Sequence, residues 1–334
     1  MVCVTGGTGM LGAHVMLELL KAGKDVRALK LPTSDVAEVS RIFSYYTSDF
    51  KPLLNRIQWV EGSISDTYAI SNALDGVEEV YHCAAIVSFN PKDEQQLQLI
   101  NVEGTANMVN VALEKGVRKF CHVSSIAAVG SSDKLITEET YWKSEPGTSS
   151  YSISKYGAER EVWRAVEEGL NVVIVNPGVI IGPGNWKTSS SNMFSTANKG
   201  LRFYTEGVTS FVDVRDVAKI MCRLMESPIK NERFIISSEN RSFRDFFDYA
   251  SVGLNKPKPT IKAGKFLSEI AWRAEKIKSS FSGANPLITR ETARSAHQQK
   301  RYSNAKIKSA LGFEFIPFEQ SIRDTCNLFL KGGN

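Results

Sequence analysis

The sequence offers little to metal or disulfide chemistry. Its five cysteines, Cys3, Cys83, Cys121, Cys222 and Cys326, are scattered, and no two form a C-x-x-C pair. Cys3, Cys83 and Cys121 fall in segments that read as buried strands. The thiols are therefore expected to be small core hydrophobes in a reducing, cytoplasmic setting. The four histidines show no H-E-x-x-H or similar ligand spacing, and no metal is expected. Long apolar runs are missing too. The longest, 172–182, is broken by Asn176 and Pro177 and is too short to span a bilayer. No stretch resembles a signal peptide. The net charge of +5 is a small excess, which fits an anionic ligand and gives no case for nucleic acid. What is present is ordinary for a globular chain: 42% apolar and 23% charged residues over 334 positions. That length suffices for one large α/β unit with an elaborated second lobe.

The opening stretch organises the rest. Residues 1–4 read as a short buried strand, 5–9 as a turn, and 10–20 as a helix with Leu11, Val15, Met16, Leu19 and Leu20 at helical spacing. In the turn, Gly6, Gly7 and Gly9 are free to take backbone angles closed to other residues. A strand, a glycine turn and a helix N-terminus together suit a pyrophosphate, because the helix end offers free N–H groups and a partial positive charge. The spacing Gly6-x-x-Gly9-x-x-Gly12 differs from G-x-G-x-x-G by one residue in the first gap. A purely structural turn is the alternative.

Further strands are expected at 25–31, 57–60, 79–85, 119–125, 171–176 and 233–236, alternating with helices. That alternation predicts a doubly wound parallel sheet with a smaller, mostly helical C-terminal lobe. At the end of the second strand an acid would bind ribose hydroxyls and a base would accommodate a 2′-phosphate. Lys30 stands there, 18 residues after Gly12. This favours NADP over NAD, unless Lys30 is merely solvated and Arg27 or a loop residue decides. Ala84 and Ala85 end the fourth strand, where small side chains either admit a cofactor or simply pack. A long helix is expected over 93–115. Asn101 lies within it and either bridges a backbone defect or faces solvent. Segment 211–217 leads into a helix over 218–225. After Arg241 the alternation stops. The basic amphipathic stretch 265–281 reads as a lid on the second lobe in preference to a membrane-docking helix, since Glu269 and Glu275 interrupt its basic face.

The strongest chemical signal is Tyr151-Ser-Ile-Ser-Lys155, opening a helix that runs to about Glu168. An i, i+4 pair shares a helix face, so the phenol and ammonium point the same way. A nearby cation favours the phenolate. Use as a base near neutrality needs the phenol pKa brought down by about three, roughly 4 kcal/mol. Alone this spacing is common. The specific feature is its combination with the glycine turn and with Ser124 and Ser125 at the end of the fifth strand.

Together TGGTGMLG (5–12), HCAA (82–85), NVEGT (101–105), VSS (123–125), YSISK (151–155), NPGVIIGP (176–183) and FVDVRDVA (211–218) resemble the extended short-chain dehydrogenase/reductases, the NAD-dependent epimerase/dehydratase superfamily. LITRETAR (287–294) and YSNAKIKSALGF (302–313) are similar to later segments of that group. The resemblance implies a dinucleotide-binding domain of 1–176 plus about 211–238, and a substrate lobe of about 177–210 plus 239–334. It implies Tyr151 as proton donor or acceptor, with Lys155 holding the nicotinamide ribose and lowering the phenol pKa. Ser125 would bind the substrate carbonyl; it lies five residues before Gly130, the usual offset. Asn101 would support a proton-relay water. The cofactor would be contacted by Thr5, Gly6, Gly9, Met10, Leu11, Gly12, Lys30, Ile64, Ala84, Ala85, Lys155, Pro177 and Val179. Ser63 replaces the acid that usually precedes the Ile64 position. A homodimer through helices near 92–115 and 151–168 is common among such proteins.

Dehydratases of this group carry Thr-Asp-Glu where this chain has Ser124-Ser125-Ile126, and sugar-nucleotide epimerases an arginine where it has Ser210. AAIVSFNPKD (84–93), Lys30 and FVDVRDVA are closer to dihydroflavonol-reductase-like and hydroxysteroid-dehydrogenase-like members. The expected function is NADP-dependent reduction of a carbonyl, or oxidation of the matching alcohol, on a fairly apolar small molecule. The alternatives are a nucleotide-sugar epimerase with tightly held NAD and a non-catalytic dinucleotide sensor.

Overall fold

A computed structural model describes residues 1–145, 147–282 and 289–332. Leu287 and Ile288 of the LITRETAR segment lie outside the described residues. The strands are β1 (Val2–Thr5), β2 (Val26–Lys30), β3 (Ile57–Glu61), β4 (Glu79–His82), β5 (Lys119–Val123), β6 (Val172–Pro177), β7 (Val179–Ile181), β8 (Phe203–Tyr204), β9 (Val208–Asp213), β10 (Glu232–Ile236), β11 (Glu239–Ser242) and β12 (Ile261–Lys262). Seven of them form one sheet in the order β10-β6-β5-β4-β1-β2-β3, every pair parallel. This is the doubly wound Rossmann-like sheet that the strand–helix alternation predicts.

The central strands are apolar throughout because both faces of a parallel sheet are covered. Alternate residues serve opposite layers. Val2, Val4, Val173 and Val175 pack with the helices Met10–Lys21 and Val214–Glu226. Cys3, Val172 and Ile174 pack with Thr67–Leu74, Gly104–Glu114 and Ser150–Glu167. Cys3 and Cys121 are fully buried, as expected of core thiols, whereas Cys83 just past β4 is half-buried.

Strand order reverses between β1 and β4, and that is where an open α/β sheet leaves a crevice. A second sheet, β11-β9-β7, stands beyond it. Its core is aromatic: the Phe211 ring centroid lies 5.1 Å from Phe318 and 5.7 Å from Phe246. A single residue, Gly178, separates β6 in the large sheet from β7 in the small one. A Cβ at Gly178 would lie 2.4 Å from Ser210 Oγ and 2.6 Å from the Ser210 carbonyl oxygen.

Three expectations need correction. The helix foreseen over 93–115 is broken into a 3-10 turn (Pro91–Asp93), a short helix (Glu94–Leu97), a π segment (Gln98–Glu103) and the helix Gly104–Glu114. The helix foreseen over 218–225 starts earlier, at Val214, because the Asp213 carboxylate at the end of β9 accepts from the Arg215 N–H at 2.8 Å and caps it. Residues 179–181, absent from the expected strands, form β7. No helix among the described residues is long and apolar enough to cross a membrane.

Gly178→Ala is expected to lower stability by about 1–3 kcal/mol, since the new methyl meets backbone. Urea unfolding monitored by circular dichroism checks this; an unchanged midpoint would show that the two sheets can shift apart.

Candidate active site

Gly6, at φ 67°, turns the chain out of β1. A Cβ there would lie 2.7 Å from the Ala84 nitrogen, so only glycine lets this turn lie against the end of β4. A Cβ at Gly12 would fall 2.2 Å from the Gly6 carbonyl oxygen, so the helix too comes close only because Gly12 has none. That helix starts at Met10 with Gly9 as its cap, no side-chain capping bond and no acid in its first turn. Leu11 is buried just inside it. Uncapped N–H groups, a positive dipole end and backbone stripped of side chains fit a dinucleotide pyrophosphate.

Thr5 carries the turn inward. The Thr5 hydroxyl lies 2.7 Å from His82 Nδ1 and accepts from the Ala84 N–H at 3.2 Å. His82 Nε2 meets Thr105 Oγ1 at 3.1 Å, and Thr105 donates to the Asn101 carbonyl at 2.6 Å. With the Thr105 proton so committed, Nε2–H is the donor to Thr105 and Nδ1 accepts from Thr5. Burial pushes the His82 imidazole down to about 3, so the ring is neutral.

Asn101, in the π segment, is 1% exposed, which removes the solvent-facing alternative. Its amide accepts from the Ile86 N–H at 2.8 Å and donates to the Ile86 carbonyl at 3.0 Å and to Ser154 Oγ at 2.9 Å. Ser154 donates to the Tyr151 carbonyl at 2.9 Å. An unbroken line of hydrogen bonds thus runs from the glycine turn to the tyrosine helix.

Ser125, Tyr151 and Lys155 converge at the C-terminal edge of β5. Ser125 caps a 3-10 turn by accepting from the Ala127 N–H at 3.1 Å, and its hydroxyl acts to lower the Tyr151 phenol pKa. Ser124 points the other way, donating to Glu159 Oε2 at 2.7 Å inside the core. Lys155 is 2% exposed and donates to the Val123 carbonyl at 2.8 Å. Burial pulls its ammonium down to about 8 against the opposing pull of Glu159. Here the chain departs from the expected electrostatics. Burial raises the Tyr151 phenol above its ordinary value, and the Ser125 hydroxyl only partly offsets this.

The remaining predicted residues are more widely placed. Lys30 stands at the end of β2 with its ammonium 2.6 Å from Glu61 at the end of β3. Ile64 is buried against Gly104, where a Cβ would lie 2.7 Å from its Cδ1. Ala84 is half-buried and Ala85 exposed. Pro177 is buried at the end of β6, and Val179 pairs with Phe211 in the small sheet.

Sequence reasoning missed Glu159. This carboxylate is 2% exposed and takes Ser124, the Asn176 amide at 2.8 Å and the Arg233 guanidinium at 3.0 Å. Asn176 in turn donates to the Ser125 carbonyl at 3.0 Å. Its position four after Lys155 was a readable signal; Arg233 gave none. Phe89 stands beside the tyrosine, its ring meeting Tyr151 edge-on at 5.4 Å.

A doubly wound sheet, a glycine turn at its switch point and polar groups gathered on its C-terminal edge mark the class as a Rossmann-type enzyme. The chain belongs to the NAD dependent epimerase/dehydratase family, whose model matches residues 2–237. It is 30% identical to Sterol demethylase protein B of Methylococcus capsulatus, over 99% of this chain and 98% of that one. It is 29% identical to a putative dihydroflavonol 4-reductase of Synechocystis, over 99% and 94% of the two chains. Among solved structures, gox2253 superposes with a TM-score of 0.81 at 30% identity, covering 99% and 98% of the two chains. The dTDP-glucose 4,6-dehydratase DesIV from Streptomyces venezuelae, solved with NAD bound, shares the fold at a TM-score of 0.76 and 20% identity, over 99% and 97%. With relatives named as reductases within this family, the chain is an oxidoreductase.

Glu159→Gln is expected to cost about 3 kcal/mol, because Arg233 is left without its buried counter-charge. A chemical-denaturation midpoint measures this; a loss below about 0.5 kcal/mol, the level of an ordinary surface change, would deny the carboxylate its linking role.

Proposed function

We propose that this protein is an NADP-dependent reductase of a ketone or aldehyde on a fairly apolar small molecule. The observation that carries the reading is the placement of Ser125 at the end of β5, where the buried Lys155 ammonium binds the Val123 carbonyl at 2.8 Å, with Tyr151 one turn before Lys155 on the same helix. Thr5, Gly6, Gly9, Met10, Leu11 and Gly12 would hold the pyrophosphate, Ile64, Ala84 and Ala85 the adenosine side, and Lys155, Pro177 and Val179 the nicotinamide side. When bound, the reduced dinucleotide supplies hydride to the carbonyl carbon. Ser125 orients the carbonyl oxygen, and Tyr151 gives that oxygen its proton. A phenol whose pKa is raised holds its proton at neutral pH and so has one to give to the carbonyl oxygen. Asn101 fixes the helix start beneath the tyrosine. The lobe of 177–210 and 239–334, with Ser88–Lys92, supplies the rest of the pocket. Phe89 against Tyr151 and relatives named for sterol, dihydroflavonol and cinnamoyl-CoA substrates support an apolar substrate.

Lys30 would meet the 2′-phosphate, and Glu61 competes for it. NADPH is expected to bind at least tenfold more tightly than NADH, about 1.4 kcal/mol, in a fluorescence titration. Glu61→Gln should widen that gap. A preference for NADH, or NAD already held by the purified protein, would overturn the NADP assignment and move weight to the epimerase alternative.

Tyr151→Phe should reduce turnover by about a hundredfold or more while NADPH affinity stays within about twofold. Full activity in that variant would sink the mechanism. Dinucleotide affinity should fall as pH rises through about 8, where the Lys155 ammonium loses its proton. Lys155→Met should bind weakly with no such pH dependence; a wild-type profile flat across that range would remove Lys155 from the ribose site.

A further inference from the structure

The carbonyl chemistry leaves the helix Lys265–Ser282 unexplained. Its inner side is fixed by Ser268, whose hydroxyl lies 2.8 Å from His297 Nε2, just past the helix Arg290–Ser295. Phe266 and Ile270 lie two residues to either side of Ser268, about 160° round the helix from it. They point outward accordingly: Phe266 is 80% exposed, Ile270 49% and their neighbour Leu267 38%. A lid over the second lobe would bury this stripe, and the helix instead turns it to solvent. Just upstream, the register partners Phe203 and Ile261 of the β8–β12 ladder are 44% and 47% exposed.

Charge frames these side chains. Between Lys256 and Lys276 there are six basic residues, Lys256, Lys258, Lys262, Lys265, Arg273 and Lys276, against two acids, Glu269 and Glu275. All six basic residues are exposed. Glu269 is tied to Arg273 within the helix and Lys262 to Glu206. The acids that break the basic face in the sequence therefore leave a net positive rim. We propose that this face docks on an anionic lipid surface, with the helix lying in the plane of the headgroups, Phe266, Leu267 and Ile270 entering the acyl boundary, and the lysines meeting lipid phosphates. An apolar stripe beside a basic rim is the pattern of interfacial helices. A second copy of the chain is the poorer occupant, since a two-fold contact would set the same basic rim against itself. The inference is independent of which carbonyl is reduced.

Co-sedimentation of the full chain with vesicles tests it. Vesicles of phosphatidylcholine mixed with phosphatidylglycerol should pellet the protein, and phosphatidylcholine alone should pellet little. Phe266→Asp/Ile270→Asp and, separately, Lys258→Glu/Lys265→Glu should each weaken binding by about tenfold or more, as should raised salt. The thermal midpoint and NADPH affinity of both variants should match the parent, which separates lost docking from lost folding. No pelleting with the mixed vesicles, or binding by both variants equal to the parent, overturns the proposal. So does a dimer in sedimentation equilibrium that Phe266→Asp/Ile270→Asp disperses, since the occupant is then a second copy.

Discussion

One buried carboxylate ties the reactive edge together. Glu159, on the Ser150–Glu167 helix, meets one neighbour from each of three adjacent strands: Ser124 just after β5, Asn176 near the end of β6 and Arg233 near the start of β10. An ionised carboxylate is buried at tolerable cost only when its lone pairs are filled by donors of this kind. Filling them fixes the helix that carries Tyr151 and Lys155 against the strands that carry Ser124 and Asn176. Asn176 passes the constraint to the Ser125 carbonyl. Ser124 and Ser125 thus divide the labour: the first anchors the chain and the second is left free to face the cleft.

A second linkage reaches the same helix from the other side. Thr5, His82, Thr105, Asn101 and Ser154 join in sequence, and each buried polar atom in the line has a partner. The π segment is what makes this reachable. It places Asn101 where its amide pairs both the N–H and the carbonyl of Ile86, groups that the end of β4 leaves unpaired. The line needs a neutral His82, and burial keeps it so. The glycine turn and the tyrosine are therefore parts of one rigid frame.

Much of this was legible in the residues. Strand–helix alternation and the apolar character of VCVT and VVIVN announced a parallel sheet, and Gly6 and Gly12 announced a close backbone approach. Tyr151 and Lys155 at i, i+4 announced a shared face. What could not be read was long-range or collective. Nothing local shows that Arg233, seventy-four residues after Glu159, would complete its charge. The π segment follows from Asn101 finding partners in Ile86, which helix propensity does not report. Burial raises the Tyr151 pKa and the opposing influence comes from Ser125, so the cationic effect of Lys155 that the i, i+4 argument foresaw is not what sets it. β7 is too short to announce itself and exists because β9 lies alongside it.

Gly178 carries one more consequence. The large and small sheets are joined by that single residue between β6 and β7, by the two residues between β10 and β11, and directly at the Asp213 cap between β9 and its helix. None of these crossings has slack, and Gly178 is pressed onto Ser210. Hinged closure needs a few residues free to absorb large backbone rotations, and these joints provide none. The small sheet is therefore held at one setting on the large one, and adjustment to a ligand's size would fall to side chains and loops in place of a hinge.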